Sequence, residues 1–272
     1  MKYKSLIKLM RQKQTSDAKK RLKVLGTDYG CGKIYDLNYM NDDEFYHRCD
    51  VYYPAGKKDE KLPVIMEIHG GGFLTGTKII NEGHGLYYAS KGYKVVNVNY
   101  TLLPEVTYLE EMQELFAALH WIEDNADKYG FDLDKLFISG DSGGGFHVLL
   151  MAAIQNSKEL QEYYHITPVA KGIKGVAATC PCADYRKFST SKELVWRLIT
   201  PLAFQDPRYK DETFIHHISA PDTFRMSDYP RVFISTSKDD NLLYEDSLQA
   251  HKLLEELGID HVYKEYVGRG HK

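Results

Sequence analysis

Gly140, Ser142 and Gly144 stand as G-x-S-x-G inside FISGDSGGGFHVLL, Phe137 to Leu150, where a short apolar run meets a glycine-dense turn and then a helix-forming stretch. A serine at the apex of a tight strand-to-helix turn is forced forward into solvent, and its neighbours must be small for the backbones to cross. The helix N-terminus beneath it favours negative charge developing there. A second glycine cluster, His69-Gly70-Gly71-Gly72-Phe73, follows an apolar run. Lacking Cβ atoms, such a loop can turn its N–H groups toward one point, as a tetrahedral oxyanion requires. A phosphate loop is the competing reading, since Gly71 and Gly76 have the spacing; but Thr77 stands where the lysine is needed and Lys78 comes one late. The serine pattern alone also fits a bland turn, so the elements around it decide.

Those elements alternate. His47 to Pro54 reads as a strand stopped by proline, Leu62 to Ile68 (apart from Glu67) and Tyr93 to Tyr100 as continuous apolar strands, and Tyr108 to Tyr129 as a long amphipathic helix with Leu109, Met112, Leu115, Phe116, Leu119 and Ile122 on one stripe. After the serine turn come strands at Ile173 to Cys180, Arg231 to Thr236 and His261 to Val267, with a helix from Tyr244 to Leu257 stopped by Gly258. Strands buried on both faces and separated by helices predict a mostly parallel α/β sheet. The stretch 184–228 is irregular, proline-broken and aromatic, with short helical pieces at 193–199 and 211–218; we read it as a cap insertion. Residues 1–30 read as a basic helical arm, with leucines at roughly helical spacing, and 31–272 as one domain.

Composition narrows the partners. With 35 Lys+Arg against 38 Asp+Glu, nothing favours nucleic acid or an anionic membrane, which leaves a small molecule. Cys31, Cys49, Cys180 and Cys182 make neither a disulfide framework nor a metal site, and they fit a reducing cytoplasm. Lysines interrupt the apolar residues at the N-terminus, so no signal peptide is expected, and no stretch is apolar enough for stable membrane insertion. No histidine pair has ligand spacing, and neither metal nor cofactor is expected. Assembly into a homo-oligomer is left open.

HGGGF, then Tyr100-Thr101-Leu102-Leu103-Pro104-Glu105, then GDSGGG resemble, in that order, the α/β-hydrolase superfamily, and within it the hormone-sensitive-lipase-like carboxylesterases. The resemblance runs from about Cys49 to His271. It implies an eight-stranded sheet flanked by helices, and a serine hydrolase with triad order Ser, Asp, His, Ser142 as nucleophile and the amides of Gly71, Gly72 and Gly143 as oxyanion donors. Thr101 and Leu103 depart from the family's YRLAPE, and Gly143 from its usual alanine. T-S-K-D at the end of the Arg231 strand resembles the family's acid motif and selects Asp239, with the adjacent Asp240 competing. Gly268-Arg269-Gly270-His271 resembles its base motif and selects His271. Similar hydrolases continue past this histidine into a closing helix, so a later histidine in a longer chain is the alternative base.

Two supporting roles follow from position: His69 should hold the glycine loop, and Asp141 should brace the serine turn. Phe73, Phe146 and Trp196 are bulky enough to narrow a pocket to short acyl groups. A small-peptide peptidase of the same fold, or a non-catalytic binding module, are the alternatives to an esterase acting on a small ester. The serine-protease signature G-D-S-G-G-P is discarded because that family is all-β with its histidine first.

Overall fold

The computed structural model describes residues 4–25, 28–190, 192, 194–268 and 270–271. Its strands are β1 (Gly32–Asn38), β2 (Arg48–Tyr53), β3 (Leu62–Ile68), β4 (Lys94–Val98), β5 (Phe131–Asp141), β6 (Gly175–Thr179), β7 (Arg231–Ser237) and β8 (His261–Tyr266). They form one eight-stranded sheet in the order β1-β2-β4-β3-β5-β6-β7-β8. β1 and β2 are antiparallel to their neighbours, whereas β4, β3, β5, β6, β7 and β8 pair in parallel. Central strands read as largely apolar runs because both of their faces are covered: Val64 to Ile68 and Lys94 to Val98 are buried throughout, Glu67, Lys94 and Asn97 included.

Helix α1 (Lys4–Leu25) precedes the sheet. Between the strands up to β6 lie α2 (Glu82–Ser90), α3 (Tyr108–Asp124), α4 (Ala126–Tyr129), α5 (Gly143–Asn156) and α6 (Lys158–Tyr164). The connection from β6 to β7 holds α7 (Tyr185–Thr190), α8 (Leu194–Ala203), α9 (Glu212–Ile218) and α10 (Ala220–Thr223), and α11 (Tyr244–Glu256) joins β7 to β8.

Helix α3 begins where a capping box forms, the Thr107 hydroxyl accepting from the Glu110 amide while the Glu110 carboxylate accepts from the Thr107 amide. Its stripe of Met112, Leu115, Phe116, Leu119 and Ile122 is buried as expected. The single helix expected to reach Tyr129 is broken at Asn125, which caps both α3 and the short α4. α5 is buried from Gly143 to Gln155, His147 included, and so runs through the core.

Parallel strands carry their C-terminal ends to one edge of the sheet. The glycine loop after β3, the turn after β5, and the segments after β7 and β8 therefore meet there, in the usual place for a site in such folds.

Candidate active site

Ser142 sits between β5 and α5 with φ 51 and ψ −116, a left-handed conformation that costs a non-glycine residue roughly 1–3 kcal/mol. Surrounding bonds hold it there. Its amide donates to the Thr179 carbonyl at 2.9 Å and its carbonyl accepts from the Phe146 amide at 3.1 Å. The turn closes because Gly144 has no side chain: a Cβ there would stand 2.2 Å from the Ile68 carbonyl oxygen. Asp141 braces the turn as its position suggested, its Oδ1 accepting from Asn81 Nδ2 at 2.7 Å and from the Gly70 amide at 3.3 Å.

His271 bridges to the serine. Its Nε2 is 3.1 Å from Ser142 Oγ, and its Nδ1 is 2.8 Å from Asp240 Oδ2. The other carboxylate oxygen of Asp240 accepts from the amides of Leu242 at 2.9 Å and Leu243 at 3.0 Å, which fixes the acid from behind. It is thus Asp240, the competing candidate, and not the preferred Asp239, that meets His271. β7 runs to Ser237, one residue past the expected end, and the following turn, closed by Asp240 N–H to the Ser237 carbonyl at 3.0 Å, carries Asp240 inward and Asp239 outward. Asp239 is exposed and accepts from the Gly268 amide at 2.5 Å, anchoring the segment that leads to His271.

Burial drives the Asp240 pKa up, but the hydrogen bond and charge of His271, with the Leu243 and Leu242 amides, outweigh it and hold the carboxyl below its ordinary 3.8. Cys180 touches this acid; burial, then the Asp240 charge, pushes its thiol up to about 11. Among the described residues, Cys180, Asp240 and His271 form the one group whose ligand atoms, within 4.8 Å of one another, have metal-holding spacing. An ion there would take the histidine and acid away from Ser142.

In the glycine loop, Gly71 has φ 137, and a Cβ on it would meet the Thr75 carbonyl oxygen at 1.9 Å, so only glycine makes this turn. The Gly71 carbonyl accepts from the Thr75 amide at 3.1 Å and from the Thr75 hydroxyl at 2.8 Å. This folds Gly72 toward the serine: the atoms nearest a Cβ built on Gly143 are Gly72 N at 3.4 Å and Phe73 N at 3.6 Å. His69 supports the loop from below, as expected. Its Nδ1 lies 2.8 Å from the Gly70 carbonyl oxygen, and its ring stacks on Tyr100 at 4.4 Å.

Comparison with known proteins decides the family. The BD-FAE family model matches residues 49–256. The chain belongs to the BD-FAE family of α/β-hydrolases. It is similar to the versiconal hemiacetal acetate esterase of Dothistroma septosporum, 26% identical over 81% of this chain and 69% of that one. A shorter match, 34% identical over 38% of this chain, links it to the carboxylesterase NlhH of Mycobacterium tuberculosis, of which it spans 33%. Esterase B from Lactobacillus rhamnosis superposes with a TM-score of 0.86 at 25% identity, over 98% of this chain and 85% of the other. Like these relatives, the chain is an ester hydrolase.

Some features of this BD-FAE member carried no signal in the sequence. Ile199 of α8 lies over the glycine loop, its Cδ1 3.1 Å from where a Gly72 Cβ would be. Phe73, Phe146 and Trp196, expected to narrow a pocket, are buried, and Phe73 and Phe146 pack edge to face at 5.6 Å.

Proposed function

We propose that the chain cleaves esters of short carboxylic acids through an acyl-enzyme. Ser142 is the nucleophile, His271 the base, Asp240 its orienting acid, and the amides of Gly71, Gly72 and Gly143 the oxyanion donors. The observation that carries this reading is the unbroken path from Ser142 Oγ through both ring nitrogens of His271 to Asp240. Ser142 Oγ attacks the carbonyl carbon as its proton passes to His271 Nε2, and the imidazolium formed is stabilised by the Asp240 carboxylate. Negative charge on the former carbonyl oxygen is met by the glycine amides. Collapse expels the alcohol, which takes the proton from Nε2. Water then attacks the acyl-enzyme, again giving its proton to Nε2, and the acid leaves as Ser142 recovers the proton.

Short acyl groups are favoured by Ile199, whose side chain stands against the loop that would receive the oxyanion. Esterase B has been solved with a C4-C4 tributyrin phosphonate, which agrees with a small acyl site in a protein of this fold. In this reading α7 to α10 form the cap. The four cysteines, all free, accord with work in a reducing cytoplasm. No helix among the described residues is long and apolar enough to cross a membrane.

A fluorophosphonate probe tests the nucleophile, because an activated serine attacks phosphorus much as it attacks a carbonyl. The parent should be labelled at Ser142, and Ser142→Ala should lose both labelling and hydrolysis; turnover retained in that variant defeats the reading. Parallel assays of butyryl esters and aminoacyl amides decide between esterase and peptidase, with esters expected to be the faster substrates.

A further inference from the structure

We propose that Arg11, on α1, is a positioning residue for the oxyanion loop, so that the N-terminal helix belongs to the frame of the active site. This rests on the proposed role of the Gly72 amide. The loop after β3 is rich in glycine and has little intrinsic preference for one conformation. Its first half is held by Thr75 and His69. Its far end is held by the turn that follows β4, where the Leu103 amide donates to the Phe73 carbonyl at 3.0 Å.

Arg11 staples the same two segments a second time. Its Nε donates to the Leu74 carbonyl at 2.7 Å and its Nη2 to the Leu103 carbonyl at 3.1 Å. Nη1 and Nη2 also grip both carboxylate oxygens of Glu105, at 2.9 and 2.7 Å. All three nitrogens of one planar group are thus engaged, and the two carbonyls they reach belong to residues beside or within the Phe73–Leu103 bond. Lysine, with one point charge, cannot span the three acceptors.

The helix is seated to deliver this group. Ile7 and Ala18, which share a helical face with Arg11, are buried, whereas Leu6 and Leu9 are exposed. Leu6 and Leu9 therefore lie off the docked face, which Ile7, Arg11 and Ala18 mark. Arg11 touches none of the reacting groups. It acts through Leu74 and Leu103, and so through the placement of the preceding Gly72 amide, whose hydrogen bond strengthens as the carbonyl oxygen becomes an oxyanion.

The test compares the parent with Arg11→Ala and Arg11→Lys. In Arg11→Ala, kcat for a butyryl ester should fall about 10- to 100-fold while KM stays within about threefold, the pattern of a displaced transition-state donor. Affinity for a trifluoromethyl ketone, whose serine adduct carries the oxyanion, should fall by a similar factor. Amide hydrogen exchange across residues 71–75 should quicken, and Arg11→Lys should recover part of each effect. Loss carried by KM, kcat within about twofold of the parent, or unchanged exchange in the loop would overturn the proposal. If Arg11→Ala does not fold, Glu105→Gln, which loosens the guanidinium but leaves its carbonyl bonds, should show the same kcat-selective loss to a smaller degree; an unchanged kcat there overturns it equally. Hydrogen exchange needs no turnover, so failure of the parent to label at Ser142 would defeat the hydrolase reading separately.

Discussion

Asp240 stays ionised in a buried site because its charge has three neighbours prepared for it: the His271 ring and the amides of Leu242 and Leu243. A carboxylate so placed can hold His271 with Nε2 free to take the Ser142 proton. Asparagine is nearly the same size but cannot stabilise an imidazolium, and it can present an N–H to Nδ1 and select the wrong tautomer. Asp240→Asn should therefore lower kcat about 10⁴-fold with the fold retained, the scale known for this change in a triad. Asp239→Asn should cost far less, since Asp239 only secures Gly268. Paired kcat measurements decide this, and a larger loss at Asp239 would return the acid to that position. At this scale the serine and histidine that the structure sets side by side could be picked out of the sequence because each lies in a multi-residue motif. The acid was not, because adjacent aspartates differ only in how far β7 runs, and one further residue of pairing, Ser237 with Tyr266, moves the inward position by one.

At the scale of elements, the continuous apolar strands and the striped helix α3 were readable because both periodicities arise from burial. β1 was not: its GKIYDLN sequence reads as a polar passage, and its pairing with β2 shifts register between Ile34 and Leu37, where Asp36 takes φ 57. A bulge breaks the alternation on which strand recognition depends. Contacts between elements distant in sequence were equally illegible, including Arg11 on the Leu103 turn and Ile199 on Gly72. The second of these has a consequence for specificity. Shortening Ile199 to alanine removes the side chain that stands over the loop, so longer acyl chains should gain on butyryl. We expect the ratio of kcat/KM for octanoyl over butyryl esters to rise about 10-fold, the scale of a few methylenes admitted to an apolar pocket. An acyl-length profile parallel to the parent's would remove Ile199 from the acyl site.

At the scale of the whole molecule, hydrophobic pattern reading does not reveal that ionisable groups lie in the core. Glu111 on α3 and His147 on α5 are fully buried, with Glu111 Oε1 3.3 Å from His147 Nε2 and the Tyr108 hydroxyl 3.0 Å from His147 Nδ1. Burial, reinforced by Glu114, raises the Glu111 pKa well above 4.5; burial, reinforced by His69, lowers that of His147 from 6.5 to about 3. Both shifts favour the neutral form of the group in the folded protein. Their effects on stability have opposite signs. Below 6.5 the unfolded chain protonates His147 while the native state does not, so this histidine costs stability as pH falls. Above 4.5 the unfolded chain releases the Glu111 proton while the native state retains it, so Glu111 costs stability as pH rises. Between those values the two slopes oppose each other, and above 6.5 Glu111 acts alone. Glutamine keeps the shape and the polarity but cannot ionise. Glu111→Gln should thus match the parent near pH 4.5 and become progressively more stable than it above that, by about 1.4 kcal/mol per pH unit while the native carboxyl holds its proton. Denaturant unfolding of both proteins at several pH values between 4.5 and 8 measures the difference directly. A difference that does not grow with pH would mean that Glu111 is ionised in the folded protein and that its negative charge is balanced in the core.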